Sequence, residues 1–277
     1  MVYFKKLDEK DWLNFKEIVR ESFYREDIQE EGFLKLIGDE GLIGVFKEDI
    51  LIGYLRLMTH KNYGHLGQIA VTKIERGKCY GNKLMEQALG FFKTKGMKRV
   101  GLYVETKNQI AISLYEKYGF KRQFESWHYW MEEEFYKKIE ETSEKFKKSD
   151  LKILTSTDYN TIVEVFPEIN REELEAHLNN IQNPGLTGGE SIPLGLFVNN
   201  KLQIYGRLNP EFPGCRPFLV TDPKYVDDFI SGTIKFMKKN YIRLTFDRNS
   251  KLAKFFQERG YKLWHHMFFM EKKEIKE

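Results

Sequence analysis

A short basic turn that contains glycine lies in the first third of the 277-residue chain. It reads Arg76-Gly77-Lys78-Cys79-Tyr80-Gly81 and follows an apolar strand predicted from Leu66 to Val71. A helix is predicted to begin near Asn82. Backbone N–H groups at a helix start point outward, and the helix dipole favours a negative charge there. The turn is therefore predicted to bind a pyrophosphate through its N–H groups, aided by the cations of Arg76 and Lys78.

A second group of residues that could do chemistry lies on the helix predicted from Asn108 to Tyr118. Asn108 is suited to cap that helix, because its side-chain oxygen can accept from a backbone N–H of the first turn. Tyr115 carries a phenol with an ordinary pKa of about 10, which can protonate a thiolate of comparable basicity. The helical spacing predicts that Ile110 and Leu114 point to the core side and that Tyr115 lies on a different face.

These two groups, in this order and at this spacing, resemble the cofactor-binding core of the GNAT superfamily of acyl-CoA-dependent N-acyltransferases. The turn resembles the family's Arg/Gln-x-x-Gly-x-Gly/Ala through Arg76, Gly77 and Gly81, and Cys79 stands where the family usually has its first glycine. The helix resembles the family's Asn-x-x-Ala-x-x-Leu-Tyr-x-x-x-Gly-Phe through Asn108, Ala111, Leu114, Tyr115, Gly119 and Phe120. The resemblance implies acetyl-CoA as co-substrate and direct attack by an amine, without a covalent enzyme intermediate.

The resemblance also implies which residues contact acetyl-CoA. The backbone of Ile69, Ala70 and Val71 would pair with the pantetheine arm, and the Val71 N–H would polarise the thioester carbonyl. Asn108 and Tyr115 would reach the same cofactor, with Tyr115 as the general acid. We expect Cys79 to adopt an ordinary right-handed conformation with binding retained. The phosphates would lie against the turn and the helix start, which are Arg76, Gly77, Lys78, Cys79, Tyr80, Gly81 and Asn82.

The general base is not identified by the sequence. Many family members carry a Glu on the strand about three residues before the position of Val71, and this chain has Gly67-Gln68 there. A glutamine side chain cannot take a proton. Several alternatives stay open: Glu105 after the second strand, His65 or His60 before the first strand, or a water chain held by Gln68.

The elements around these residues predict an α/β fold with a mixed central sheet flanked by helices. Apolar positions after Asp8 recur at helical spacing, and residues 42–57 indicate a hairpin. Strand, helix, strand, helix and strand then follow up to residue 131. We expect a GNAT N-acetyltransferase domain with the acetyl-CoA site over residues 1–135. Residues 136–150 are predicted to form a charged helical connector exposed to solvent.

Residues 151–277 faintly repeat the first part of the chain. Adding 141 to the residue number carries Asn108 to Asn249 and Tyr115 to Phe256, which has no hydroxyl. The glycine turn is replaced by a segment without glycine, in which Asp227-Asp228 near a helix start would repel a pyrophosphate. These features predict two GNAT-like domains in tandem, of which the second is degenerate and has no cofactor motif.

The composition excludes several classes of protein. With 45 basic and 41 acidic residues, the net charge of +4 is too balanced for a dedicated nucleic-acid binder. Cys79 and Cys215 give neither a disulfide framework nor a CxxC site, and His265-His266 lacks a third ligand, so no metal is expected. The glycine-rich segment 184–190 lacks the Lys-Ser/Thr ending of a nucleotide P-loop. Without a long apolar run or an apolar N-terminal region, we expect a cytoplasmic protein with no membrane partner.

The favoured function is an N-acetyltransferase that moves an acetyl group from acetyl-CoA to a primary amine. A small-molecule acceptor is slightly favoured over a protein, because a second domain can wall the acceptor cleft. Two alternatives stay open. Cys79 and the missing carboxylate also suit a non-catalytic acyl-CoA-binding sensor or regulatory module, and two decayed folds also suit an interaction scaffold that binds no CoA.

Overall fold

The computed structural model describes residues 1–23, 28–142, 149–179 and 191–275, with the backbone alone for 140–142. The glycine-rich segment 184–190 lies outside these residues. The strands are Val2–Lys6 (β1), Leu42–Lys47 (β2), Ile50–His60 (β3), Tyr63–Val71 (β4), Arg99–Glu105 (β5), Lys121–Glu132 (β6), Ser149–Ile153 (β7), Ile192–Val198 (β8), Lys201–Asn209 (β9), Gly214–Val220 (β10), Tyr241–Asp247 (β11) and Leu263–Lys273 (β12). The α-helices are Trp12–Phe23 (α1), Glu30–Leu36 (α2), Tyr80–Thr94 (α3), Gln109–Lys117 (α4), Glu133–Thr142 (α5), Tyr159–Val165 (α6), Arg171–Leu178 (α7), Val226–Thr233 (α8) and Ser250–Glu258 (α9).

The chain divides into two compact units. The first consists of Met1–Phe124 together with Met267–Glu277, and the second of Glu125–His266. The sequence predicted a linear division, with a boundary in the segment 136–150. The units differ from that division, because the C-terminal residues belong to the first unit.

The first unit contains sheet strands in the order β1, β2, β3, β4 and β5, followed by residues 267–273 of β12. Neighbouring strands run antiparallel except β4 and β5, which are parallel. Leu84 and Ala88 of α3 pack on one face of the sheet together with Ile112 of α4. On the other face, the Phe15 ring of α1 contacts Tyr54 of β3. The sheet is thus mixed and flanked by helices, as the sequence predicted.

The second unit contains strands in the order β6, β11, β10, β9, β8 and β7. Here the parallel pair is β10 and β11, and the other pairs are antiparallel. Its largest core cluster includes Phe218, Phe229, Phe246 and Phe256, all of which are buried.

The greater part of the last strand of each series of elements belongs to the other unit. In the first unit, the strand hydrogen-bonded to β5 is β12, which follows α9 along the chain. In the second unit, the strand paired with β11 is β6, which follows α4. Each unit therefore needs a strand from the far part of the sequence to complete its sheet.

The interpretation of 136–150 as a connector exposed to solvent is wrong where α5 is concerned. The side chains of Tyr136 and Ile139 are buried in the core of the second unit. Although the segment carries many charges, Tyr136 and Ile139 lie about one helical turn apart and share one face of α5.

The two series of elements match one for one. From β1 to β6 and from β7 to β12, each follows the same order of strands and helices, with α5 as an addition between them. Matching positions also share their caps: the Asn108 side chain accepts from the Ala111 N–H at α4, and the Asn249 side chain accepts from the Leu252 N–H at α9. This agreement supports the internal repeat predicted from the sequence.

Among the described helices, no single one has both the length and the apolar character that a membrane crossing requires.

We expect Met270→Ala to destabilise the first unit. Met270 of β12 is fully buried and lies opposite Leu102 of β5. Truncation of a buried methionine costs about 2–5 kcal/mol of unfolding free energy. Hydrogen exchange at the β5 amides measures the effect, and Lys273→Ala on the exposed end of β12 is the control. Equal exchange in the two variants would contradict the assignment of β12 to the first core.

Candidate active site

The parallel ladder between β4 and β5 ends halfway along both strands. Its pairs run from Tyr63–Arg99 to Leu66–Leu102. Beyond Leu66, β4 keeps its partner β3 on the other side, through a bulge at Gly67. A gap therefore opens between the last residues of β4 and of β5, where main-chain groups have no ladder partner.

The register shows which main-chain groups face that gap. The Thr72 N–H donates to the Ile52 carbonyl at 2.8 Å, so Thr72 points its main chain toward β3. Because this direction alternates along an antiparallel strand, Ala70 also points to β3, whereas Ile69 and Val71 point into the gap. The side chains alternate as the sequence predicted, since Ile69 and Val71 pack in one cluster and Ala70 packs in the other.

The turn before α3 contains two residues in the left-handed conformation. Gly77 has φ +78° and Cys79, the N-cap of α3, has φ 63° and ψ 11°. The prediction of a right-handed conformation at Cys79 is wrong. The turn keeps the backbone path that glycine favours, at a cost of about 1–2 kcal/mol for a residue with a Cβ. The sequence could not show this, because the path is imposed by the strand and the helix that flank it.

The same turn presents a run of five N–H groups. Within the described part of the chain, the backbone N–H groups of Gly77, Lys78, Cys79, Tyr80 and Gly81 donate to no acceptor. The next N–H, that of Asn82, donates to the Cys79 carbonyl at 3.1 Å and begins the helix. Consecutive free N–H groups with left-handed residues among them form a concave anion site, strengthened by the helix dipole.

The side chain of Arg76 anchors the turn. Its Nε donates to the Val71 carbonyl at 2.9 Å, and one Nη donates to the Ser22 hydroxyl at 3.1 Å. Glu21, also at the end of α1, accepts from the Lys73 N–H at 2.7 Å and from the Thr72 hydroxyl at 3.0 Å. The guanidinium is thus directed at protein acceptors. The sequence did not identify Glu21, because no local pattern connects α1 with a turn about fifty residues later.

A buried carboxylate pairs with the basic residues beside the turn. Glu75 is 3.0 Å from the ammonium of Lys47 and 3.0 Å from that of Lys78, and it is only 7% exposed. The hydrogen bond from Lys47 and the contact with Lys78 hold the pKa of Glu75 below its ordinary value. Two cations on one carboxylate leave a net positive charge next to the free N–H groups.

Helices α3 and α4 meet closely at the turn. A Cβ on Gly81 would lie 3.3 Å from the Leu114 side chain, so glycine permits this approach. The side-chain oxygen of Asn82 accepts from the Lys117 ammonium at 2.7 Å, and the backbone carbonyl of Asn82 accepts from the Tyr118 hydroxyl at 3.1 Å. These contacts fix α4, and with it Tyr115, relative to the turn.

Tyr115 lies on the buried face of α4. It is 5% exposed and packs against Phe120, and its hydroxyl makes no hydrogen bond to the described part of the chain. Burial raises the pKa of its phenol above the ordinary value, so the group stays protonated at neutral pH. The prediction that Ile110 faces the core is wrong, since Ile110 is 87% exposed and Ile112 is buried instead. Asn108 caps the helix as predicted.

The candidates for the general base lie at different places. Gln68 accepts a hydrogen bond from the buried Tyr54 hydroxyl at 3.0 Å. Glu105 is the last residue of β5, past the final pair with β4, and is half-buried. His65 is buried within the paired part of β4, next to Tyr103, and His60 is exposed at the end of β3.

The corresponding part of the second unit has a different turn. The ladder between β10 and β11 also ends early, at Cys215–Leu244. However, α8 begins at Val226 directly after the short 3-10 helix Pro223–Tyr225, so there is no counterpart of the loop 76–79. Asp227 in the first turn of α8 accepts from Arg259 and Tyr261. Phe218, at the position that corresponds to Ile69, packs against Phe229 and Phe246.

Over the described ranges, no group of three or more His, Cys, Asp or Glu side chains is placed to hold a metal ion.

The chain is similar in sequence to several acetyltransferases. The model of the Acetyltransferase (GNAT) family matches residues 4–120. A spermidine N(1)-acetyltransferase of Thermoplasma acidophilum is 30% identical over 112 residues, which are 40% of this chain and 66% of that protein. A mycothiol acetyltransferase of Streptosporangium roseum is 35% identical over 79 residues, 26% of this chain and 23% of that protein. This chain thus spans less than two thirds of the length of these relatives.

Solved structures resemble the whole chain in fold. A GCN5-related N-acetyltransferase from Sphaerobacter thermophilus aligns with a TM-score of 0.68 at 13% identity, covering 100% of this chain and 96% of that one. A putative acetyltransferase from Pyrococcus horikoshii aligns with a TM-score of 0.59 at 14% identity, covering 98% and 89%. Residues 4–120 therefore match a GNAT acetyltransferase domain, and the full chain shares the fold of these two solved structures.

Proposed function

We propose that this protein is an N-acetyltransferase that transfers an acetyl group from acetyl-CoA to a primary amine. The observation that carries the proposal is the coincidence of two features in one unit. Five free backbone N–H groups suit the pyrophosphate of CoA, and the gap beside Ile69 and Val71 suits an extended pantetheine arm that pairs with a strand edge.

In this proposal each feature of the site has one task. The free N–H groups from Gly77 to Gly81 hold the phosphates, while Arg76 keeps the turn in place and Lys78 adds positive charge. The Val71 N–H polarises the thioester carbonyl from the gap, as a fixed donor aimed at developing negative charge. Tyr115 supplies a proton for the departing thiolate.

Glu105 is the candidate base that best fits this arrangement. Among the candidates with a titratable group, it alone lies on one of the two strands past the end of their shared ladder. Gln68 borders the same gap, but its oxygen is already engaged by Tyr54 and an amide cannot take a proton. Glu105 would remove the proton of the amine, directly or through a water held by Gln68.

The second unit is proposed to bind no acetyl-CoA. It has no counterpart of the loop 76–79, and Asp227 brings a carboxylate to the helix start, where it opposes an anion. Each chain would therefore bind one molecule of acetyl-CoA. We further propose a cytoplasmic enzyme that has a small amine as acceptor and neither nucleic acid nor a membrane as partner.

The test of the proposed function is thiol release from acetyl-CoA in the presence of a panel of amines. Spermidine and a peptide N-terminus belong in the panel, because relatives are named a spermidine N(1)-acetyltransferase and an N-alpha-acetyltransferase. We expect amine-dependent release. Binding of acetyl-CoA without release for any amine would instead favour the acyl-CoA sensor, and absence of binding would favour the scaffold.

We expect Tyr115→Phe to lower turnover by roughly 10-fold to 10⁴-fold, the range of a lost general acid, with little change in acetyl-CoA affinity. The fold should persist, because the hydroxyl makes no hydrogen bond to the described protein and phenylalanine keeps the ring packing against Phe120. Steady-state thiol release measures the effect, and Phe256→Tyr at the matching position is the control that should leave activity unchanged. Full turnover in Tyr115→Phe would show that the phenol only packs.

We expect Cys79→Gly to stabilise the protein by about 0.5–1 kcal/mol, with acetyl-CoA affinity unchanged or higher. Glycine removes the strain of the left-handed conformation, offset in part by the greater freedom of the unfolded chain. The control is Cys79→Ala, which keeps a Cβ and should bring no such gain. Denaturant unfolding and calorimetry measure both quantities. A loss of stability in the glycine variant would mean that the thiol itself supports the turn.

A further inference from the structure

The side chain of Arg56 on β3 is an unusual cation in the first unit. Its Nε is buried and donates to no acceptor, although the residue as a whole keeps part of its surface exposed. An unsatisfied buried donor is costly, and such groups in native structures call for an explanation. No carboxylate of the described residues lies within ion-pair distance of this guanidinium.

The neighbours of Arg56 on the sheet are all uncharged. Its strand partners are Leu42 on β2 and Gln68 on β4. Along β3, Tyr54 and Met58 share its face, because side chains alternate with a period of two. Among the described residues, none of these sheet neighbours of Arg56 carries a charge opposite to that of its guanidinium.

Arg56 lies beside the gap of the candidate active site. Gln68, its direct cross-strand partner, is the first residue after the bulge at Gly67, where β4 loses its ladder with β5. Side chains of directly opposite residues are separated by about 5 Å between their Cβ atoms. Arg56 is therefore directly opposite the residue that borders the edge where, in the proposed function, an amine would meet the thioester.

The second unit has an arginine at the equivalent position, and the guanidinium of that arginine is bound by other protein groups. Arg207 follows the buried Tyr205 by two residues on β9, as Arg56 follows the buried Tyr54 on β3. The register agrees, since Tyr54 pairs with Ala70 on β4 and Tyr205 with Leu219 on β10.

In that second unit, protein groups satisfy the guanidinium. The Nε of Arg207 donates to the Ser191 hydroxyl at 2.8 Å, and its Nη1 lies 2.6 Å from Nε2 of His177. Burial, together with the nearby Arg207, lowers the pKa of His177 to about 4, so the imidazole is neutral and accepts this bond. Arg56 in the first unit therefore has an Nε without an acceptor among the described residues, whereas the guanidinium of Arg207 in the second unit is bound by protein groups.

We propose that Arg56 binds the carboxylate of the acceptor, so that the acceptor of this protein is an amine that also carries a carboxylate, such as an amino acid. The inference rests on the proposed acetyl transfer. A guanidinium suits a single carboxylate because it offers parallel donors in a planar fork. The same charge disfavours a polyamine such as spermidine on this face.

The central comparison of the test is between acceptors that differ at one group, which is either a carboxylate or its primary amide. Amino acids and their primary amides are assayed by thiol release from acetyl-CoA, at equal concentrations of neutral amine, with spermidine and an aminoalkyl phosphate as further arms. We expect the wild-type protein to prefer the carboxylate over the amide by about 10- to 100-fold in kcat/KM, the effect of a charge-assisted hydrogen bond. Calorimetric titration of the same compounds, with and without CoA, gives a readout that does not need turnover.

The variants assign that preference to Arg56. Arg56→Met should remove it while acetyl-CoA affinity stays unchanged, which also reports that the protein is folded. Arg56→Lys should keep part of it, because an ammonium is a point charge without the fork. Arg207→Lys in the second unit is the matched control and should keep the full preference.

The outcomes separate this inference from the proposed function. Turnover with an equal preference in wild type and Arg56→Met, or with spermidine or the phosphate as better acceptor, would overturn the carboxylate site and leave the acetyltransferase assignment intact. Absence of acetyl-CoA binding would overturn the proposed function. In that case, equal calorimetric affinities for amino acids and amides would overturn the role of Arg56 as well.

Discussion

The ladder between β4 and β5 stops at Leu66 and Leu102, and the rest of the candidate site depends on that break. Backbone N–H and C=O groups inside a protein are nearly always paired, so a strand edge that is left open within a sheet needs another partner. Here the open edge is short and carries the main chain of Ile69 and Val71. The turn that follows the next short 3-10 helix adds five N–H groups that have no acceptor within the described part of the chain. In the proposed function, a ligand with an extended arm and a phosphate end would satisfy both.

The contacts around this edge hold it open. Arg76 takes the Val71 carbonyl at one end, and Glu21 fixes Thr72 and Lys73 against α1, so the strand and the turn cannot drift apart. Cys79 keeps the left-handed path that the turn requires, even without glycine. The strained backbone at this one residue is consistent with a site whose geometry is set by the binding of an anion.

The two units share the order of their elements but differ where the candidate site lies. Both have a parallel ladder that ends early, and both have a tyrosine followed two residues later by an arginine on the third strand. In the second unit, aromatic rings lie beside the break, α8 starts without a loop, and Arg207 bonds to His177 and Ser191. Each change replaces a group that could face a ligand with a contact inside the protein.

Short-range patterns in the sequence predicted those parts of the structure that local interactions determine. The turn before α3, the cap at Asn108 and the alternation along β4 follow from short-range geometry, and the sequence predicted all three. Tertiary contacts decided the rest. The exchange of β6 and β12 depends on pairing between distant segments, and the left-handed Cys79 depends on its flanking elements. That Arg56 Nε has no acceptor among the described residues depends on which residues lie opposite it in the register, and the sequence alone does not give the register.

Amide hydrogen exchange with and without acetyl-CoA tests the central claim most directly. The account predicts slower exchange on addition of acetyl-CoA at Ile69, Val71 and the residues 77–81, whose N–H groups have no acceptor among the residues that the structure describes. Ala70, which points to β3, should not change, and neither should Phe218 and Val220 at the matching positions of the second unit. Protection in the second unit, or no protection at the β4 edge in a protein that binds acetyl-CoA, would contradict the account.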